Sequence, residues 1–337
     1  MRLGPSEEQA MLRETVARFL ADRGEAAAIG AAPMPAADWR AMAELGLFGF
    51  LLPERAGGMG GGSDDAMIVA EALGRGLAIT PLGEGVIGAA DIVARHGDDE
   101  LVQRFVAPAM AGEAILALAV GSAREEAGRV SGVFDFVRWA PQASALVVLG
   151  DDAAHVVALD ANGAALTPRR LADGTPAACI TLADCEAARI ALPPGGAETA
   201  LAMVDLTHAA EMTGVMALLY AQTADYAATR RQFGAAIGTF QAVQHKLARM
   251  FVALEQARSL TIRAAATGRE DAGFVRAARS AKAYAADAAQ FLAEEAVQLH
   301  GGIGVTDELP VGRGLRRVMV LGRLFGGAAD ARARLAA

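Results

Sequence analysis

The stretch RRQFGAAIGTFQAVQHKLARM, Arg230 to Met250, decides how the whole chain is read. It lies between long Ala-rich helical patterns. It puts Arg-Arg-Gln-Phe-Gly at the bend of a helix hairpin, then two glutamines and a histidine where Leu or Glu would serve a helix as well. The arginines suit the negative end of the preceding helix dipole, and Gly234 is a residue able to terminate that helix. This accounts for the bend and leaves Gln241 over. Gln241, Gln244 and His245 form a polar strip beside an apolar stripe of Phe240, Val243, Leu247, Met250, Phe251 and Leu254.

Outward from the bend, Met212, Val215, Met216 and Leu219 share one face of the preceding helix, and Phe274, Tyr284, Phe291, Leu292 and Val297 mark a later one. Long adjacent helices with short connections pack most economically as an antiparallel bundle, expected over residues 194–337. Residues 113–193 change to a period of two: AILALAVG, RVSGVFDFVRW, SALVVLG, AHVVALD, ACITLAD and EAARIAL read as strands of a small antiparallel β domain. LPPGGAE, Leu192 to Glu198, then reads as a linker. Residues 1–112 read as a helical domain. It opens on the capping box Ser6-Glu7-Glu8-Gln9, continues with a helix around Trp39 to Leu45 and another from Ser63, and ends with helices over Val86 to Arg95 and Asp99 to Met110. The fold class is therefore α+β and mostly α, in the order helices, sheet, bundle.

With 337 residues, 53% of them apolar, the chain can bury a large core in two or three domains. A net charge of -8 argues against nucleic acid as a partner. The one basic run, Arg313, Arg316, Arg317 and Arg323, reads as a solvated helix face. Cys179 and Cys185 lack metal or disulfide spacing, so no metal site is expected. No apolar run is long enough for a membrane span and the N-terminus lacks a signal-peptide core, so a cytoplasmic location is expected. AGGMGGGSDD, Ala56 to Asp65, does not fit a dinucleotide fingerprint and reads as a tight surface loop.

QLHGGIGVTDELPVGR, Gln298 to Arg313, places two glycines after a helix. One caps the helix in the left-handed conformation; the second, beside Gln298 and His300, leaves main chain open to a ligand. Together with Tyr226 to Met250 this stretch resembles the C-terminal signatures of the acyl-CoA dehydrogenase family. LGLFGFLLPERAGGMGGG and EALGRGLAITPL are similar to its N-terminal segments. The resemblance implies FAD bound between sheet domain and bundle, and α,β-dehydrogenation of an acyl-CoA thioester. It also implies a homo- or hetero-dimer or tetramer and an electron-accepting flavoprotein as a further partner. By motif, Arg230 would meet the FAD pyrophosphate, Phe233 and Gln241 the middle of the cofactor, and Gln298, Gly301 and Gly302 its adenosine side.

The base of the family is not found. Its usual Glu position falls on Phe325 or Gly326 in RLFGGAAD, and the alternative position on the first bundle helix is Val204. Asp205 stands where the family commonly has an Arg for the CoA moiety; TEP-like and Trp-Ile-Thr-like segments are missing from the sheet domain. A self-sufficient enzyme would need a relocated base, for which Asp205 and Glu211 are the candidates. The alternatives are a partner subunit that completes the flavin site of a base-bearing paralogue, and a flavin-free helical binding module.

Overall fold

The computed structural model describes residues 4–25 and 30–336. Helix α1 (Glu7–Ala21) begins on the expected capping box: Gln9 N–H donates to Ser6 Oγ at 3.1 Å and Ser6 N–H donates to Gln9 Oε1 at 3.0 Å. The remaining helices that matter for the site are α2 (Ala36–Glu44), α3 (Leu47–Leu51), α4 (Ser63–Arg75), α5 (Gly196–Thr229), α6 (Gln241–Thr267), α7 (Phe274–His300), α8 (Pro310–Leu321) and α9 (Ala328–Ala336). Strands fill Leu116 to Ala191. Among the described residues no helix is long and apolar enough to cross a membrane.

The chain divides into two compact units. The first comprises Pro33–Ala66 and Thr80–Val204. Its strands are β1 (Leu116–Val120), β2 (Arg124–Glu126), β3 (Arg129–Arg138), β4 (Ala145–Leu149), β5 (Ala153–Ala158), β6 (Ala164–Arg170), β7 (Pro176–Glu186) and β8 (Ala188–Ala191). They form two four-stranded sheets in the orders β1-β4-β5-β8 and β2-β3-β7-β6. All pairs are antiparallel except β1 with β4, which run parallel. One apolar cluster joins Leu146, Val148 and Val157 of the first sheet to Val130, Phe134, Ile180 and Leu182 of the second. β2 and β6 were not among the expected strands. They lie at sheet edges and are largely exposed, so neither shows the apolar alternation that marks a half-buried strand.

The helical approach to this sheet also departs from the simple reading. Leu82–Ala90 is π-helical and runs into an α-helix Asp91–His96; Asp99–Leu101, Val102–Val106 and Ala107–Met110 form a second mixed α/π run. The glycine-rich segment after α3 folds back on it. A Cβ at Gly58 would stand 2.1 Å from the Leu52 carbonyl oxygen, and one at Gly61 2.5 Å from that of Phe50. Only glycine lets the loop lie so close to its own helix.

The second unit comprises Met1–Ala32, Met67–Ile79 and Asp205–Ala337. Met212, Val215, Met216 and Leu219 of α5 are fully buried in it. The apolar stripe of α6 is only half covered: Met250 and Leu254 are buried, while Phe240 and Phe251 remain exposed. In α7, Phe274 and Leu292 are buried among a stripe of alanines. Helices α4 and α5 touch backbone to backbone. A Cβ at Gly74 would lie 2.0 Å from the Glu211 carbonyl oxygen, and one at Gly214 2.1 Å from that of Glu71.

Replacing Gly74 or Gly214 by alanine therefore forces these helices apart. Each variant is expected to lose about 3 kcal/mol of stability in urea unfolding, the upper part of the range for overpacked cores. A loss below about 0.5 kcal/mol, the size of a neutral surface change, would mean that the helices are not locked at this crossing.

Candidate functional site

The bend that opened the sequence reading is a hairpin. α5 ends at Thr229, and Arg231–Gln232 pairs antiparallel with Ala235–Ala236 around a two-residue turn, Phe233 and Gly234. Both turn residues are left-handed, with φ of 52° and 81°. Gly234 thus serves the hairpin turn and not the helix end, a correction to the sequence reading. Its physical reason is that a two-residue hairpin loop needs positive φ at both positions. Glycine meets that demand without strain; phenylalanine does not. Phe233 is also 95% exposed and meets the Phe240 ring edge-on, ring centroids 6.2 Å apart. An aromatic side chain held in solvent on a disfavoured backbone gains nothing from core packing.

The rest of the hairpin is braced from inside. Arg231 donates to the Gly234 carbonyl at 3.1 Å, and Gln244 donates to that of Gly238 at 3.0 Å. Gly238 lies against α5, where a Cβ would stand 2.9 Å from the Ala227 carbonyl oxygen. Of the polar residues singled out here, Arg231 and Gln244 are therefore internal struts. Arg230 and Gln241 are exposed and hold no side-chain bond among the described residues. Gln241 opens α6, whose N-cap is Phe240 with no capping side chain, so the first N–H groups of the helix keep their positive end uncapped.

The glycine pair lies where α7 ends. Gly301 has φ 65° and ψ -144°, a combination that side chains forbid, and a Cβ at Gly301 or Gly302 would meet nothing within 4 Å. The main chain there is open. Gln298 is exposed one turn before it. His300 is buried, and its Nδ1–H donates to the Ala296 carbonyl at 2.8 Å. The His300 ring stacks on Tyr226 of α5 with centroids 4.4 Å apart. Tyr226 precedes Arg230 by one helical turn and His300 immediately precedes Gly301, so this stack brings the hairpin root and the glycine pair to the same end of the bundle. Lys246 of α6 pairs with Glu295 of α7 alongside. The donor set gathered here fits an anionic dinucleotide: one unengaged guanidinium, two exposed carboxamides, an exposed aromatic ring and accessible main chain.

The positions considered for a base give a different picture. Val204 is fully buried beneath Gly88, where an added Cβ would stand 3.1 Å from its Cγ2. Phe325 and Gly326 form a left-handed turn, φ 54° and 104°. Asp205 is buried in a hub built by Lys282 of α7, which is 1% exposed. The Lys282 ammonium lies 3.7 Å from Asp205 Oδ1, 3.2 Å from His208 Nδ1 and 3.3 Å from the Leu324 carbonyl. An ammonium can only donate, so His208 Nδ1 is the acceptor in that bond and the imidazole proton lies on Nε2. The Phe325 ring lies parallel to that of His208 at 6.1 Å. Burial raises the Asp205 pKa above 3.8, opposed by Lys282 first and then by Arg334 and Arg279. Glu211 accepts from Arg317 Nε at 2.7 Å, and Arg317 Nη2 lies 2.6 Å from the same carboxylate oxygen as an ion-pair contact. Arg317 is 1% exposed, which corrects its reading as part of a solvated face. Arg316 is partly exposed and Arg313 largely covered, and both hold Asp307 below the usual carboxylate range, chiefly through the Arg316 hydrogen bond.

Sequence comparison then decides the family. The model of the acyl-CoA dehydrogenase N-terminal domain matches residues 6–113 and that of the C-terminal domain residues 196–337. The chain belongs to the acyl-CoA dehydrogenase family. It is an oxidoreductase of acyl-CoA dehydrogenase type, in a family of FAD-binding flavoproteins. It is 33% identical to acyl-CoA dehydrogenase IpdE2 of Mycobacterium tuberculosis over 319 residues, 90% of this chain and 88% of that one. Among solved structures, the Tcur3481-Tcur3483 steroid ACAD superposes with a TM-score of 0.87 at 28% identity, covering 99% of this chain and 98% of that one. The ChsE4-ChsE5 complex from Mycobacterium tuberculosis gives 0.88 at 26% identity, with 100% and 98% covered. Acyl-CoA dehydrogenase sequences therefore account for both helical segments of the chain.

Removing the charge at the hub separates burial from catalysis. Lys282→Met leaves Asp205 buried without its nearest cation and is expected to cost about 3–5 kcal/mol in urea unfolding. The raised pKa of Asp205 has a definite sign. Its stabilising share is complete below the unfolded pKa and is lost as pH rises through the folded value. Asp205→Asn, which mimics the protonated carboxyl, is expected to lack this loss. A wild-type and variant difference that stays constant from below the ordinary carboxylate value of 3.8 to neutral pH would contradict it.

Proposed function

We propose that this chain is one subunit of a hetero-oligomeric acyl-CoA dehydrogenase. It helps to hold FAD at a site shared with a paralogous partner, and the partner supplies the base for α,β-dehydrogenation of an acyl-CoA thioester. The observation that carries the reading is the absence of an available carboxylate at each position considered for the base: Phe325 and Gly326 form the tail turn, Val204 is core, and Asp205 and Glu211 are held by Lys282 and Arg317. A positioned base contributes about 10²- to 10⁴-fold to proton abstraction, so the reaction needs one from elsewhere.

In this reading the segments 1–112, 113–193 and 194–337 are the domains of the chain. Bound FAD supplies the acceptor for the hydride leaving the substrate β-carbon. Arg230 holds the pyrophosphate, Phe233 and Gln241 contact the middle of the cofactor, and Gln298 with the main chain of Gly301 and Gly302 receives the adenosine side. Their exposure supports a role toward a group shared with a neighbour. The names of the ChsE4-ChsE5 complex and the Tcur3481-Tcur3483 steroid ACAD each join two chains, which supports a hetero-oligomer and, from the second, a bulky acyl group. A cytoplasmic location belongs to the same proposal, in keeping with Cys179 and Cys185 as free thiols.

Purified alone, the chain is expected to be colourless and inert toward acyl-CoA; co-expressed with a paralogue that has the base, it is expected to yield a yellow complex that acyl-CoA bleaches. Flavin bleaching by the chain on its own would remove the need for a partner base. Within the complex, Arg230→Ala is expected to weaken FAD retention tenfold or more, from the ~1.5–3 kcal/mol of a charged hydrogen bond. Arg231→Ala, whose guanidinium turns back onto Gly234, is expected to change it little.

A further inference from the structure

Away from the hairpin and glycine pair, the sheet-bearing unit holds a cation whose bonding is incomplete. Arg138, the last residue of β3, is 3% exposed. Its Nη1 donates to the carboxylate of Glu84, itself 2% exposed, on the π-helical segment. Among the described residues, its Nε and Nη2 are buried with no hydrogen-bond partner. Those two nitrogens form the lateral edge of the guanidinium, the fork whose parallel N–H bonds match the two oxygens of a carboxylate.

A buried N–H left without an acceptor costs about 1–3 kcal/mol, and more when the group is charged. An ion pair serving stability alone would place its carboxylate on that fork; Glu84 instead takes a terminal nitrogen and leaves the buried fork unbonded. Two neighbouring irregularities accompany it. Glu84 lies in a π-helical run, a rare geometry frequently found at functional sites. Trp139, next to Arg138, adopts φ 63°, disfavoured for a bulky residue, and its indole N–H is buried without an acceptor. Orphaned donors on consecutive residues, a strained backbone and a π-helix coincide here.

We propose that the Nε–Nη2 edge of Arg138 receives the carboxylate of a small-molecule ligand. The ligand group is planar and singly charged. Glu84 already offsets the guanidinium, so a dianion such as phosphate is disfavoured and carboxylate affinity is modest. The carboxylate comes either from a free organic acid or from a second carboxyl group on the acyl part of a thioester.

The test is thermal unfolding of the purified full-length chain, titrated with acetate and succinate against chloride at matched ionic strength. Both acids are expected to raise Tm saturably beyond chloride, and Arg138→Met to abolish the rise. Glu84→Gln removes the competing negative charge and is expected to tighten carboxylate Kd about tenfold. This arm decides alone if Arg138→Met does not fold. Titration with succinyl-CoA against butyryl-CoA separates the sources. A response confined to succinyl-CoA assigns the thioester-borne carboxyl group; a response to acetate as strong as that to succinyl-CoA assigns the free acid. No carboxylate-specific rise in the wild type and in Glu84→Gln overturns the proposal, as does weaker binding by Glu84→Gln. The readout involves neither flavin nor turnover, so its outcome is distinct from that of the hetero-oligomer proposal.

Discussion

Helix α5 carries Asp205, His208 and Glu211 into the interior, each no more than 8% exposed, and the bundle must match their polarity from within. An uncompensated buried charge costs several kcal/mol, comparable to a large part of the net stability of a domain. Lys282 on α7 and Arg317 on α8 meet that demand. A register shift of either helix would strand an ion, so these pairs fix how the helices align more strictly than an alanine-rich interface could. Alanine stripes tolerate sliding; ion pairs do not.

The same pairing decides what the buried carboxylates can do. A carboxylate acts as a base when it reaches substrate and gains by taking a proton. Glu211 is held by two guanidinium nitrogens, and Asp205 shares one ammonium with an imidazole and a carbonyl. Both are engaged in the packing of the bundle. In contrast, the groups at the far end of α7 and around the hairpin are exposed and, for Arg230 and Gln241, unengaged. The division between spent interior charges and offered surface groups underlies the reading of the chain as a lender of binding groups.

Several features were legible because their signal is local. The capping box, the left-handed glycine after α7 and the long helical periods each depend on a few adjacent residues. The edge strands β2 and β6 gave no signal, since an exposed edge need not alternate. The π-helical turns were hidden because their side-chain period is close to that of an α-helix over so short a run. Gly234 was placed at a helix end because positive φ serves a cap and a hairpin turn alike. Lys282 carried a signal that could have been used: it interrupts a stripe of Ala278, Ala281, Ala285 and Ala289, all fully buried, and a lysine in such a stripe must have a buried partner.

The sequence by itself determined the order of helices, sheet and bundle, the family signatures in Tyr226 to Met250 and Gln298 to Arg313, and the loss of a Glu at the tail turn. These are properties of neighbouring residues, and neighbours are fixed by covalent order. Which charges are spent was decided only by tertiary structure. Arg317 meets Glu211 across 106 positions, Lys282 meets His208 across 74, and Arg138 meets Glu84 across 54. Coulombic and hydrogen-bonding energies depend on distance in space, and no local pattern in the chain encodes those separations.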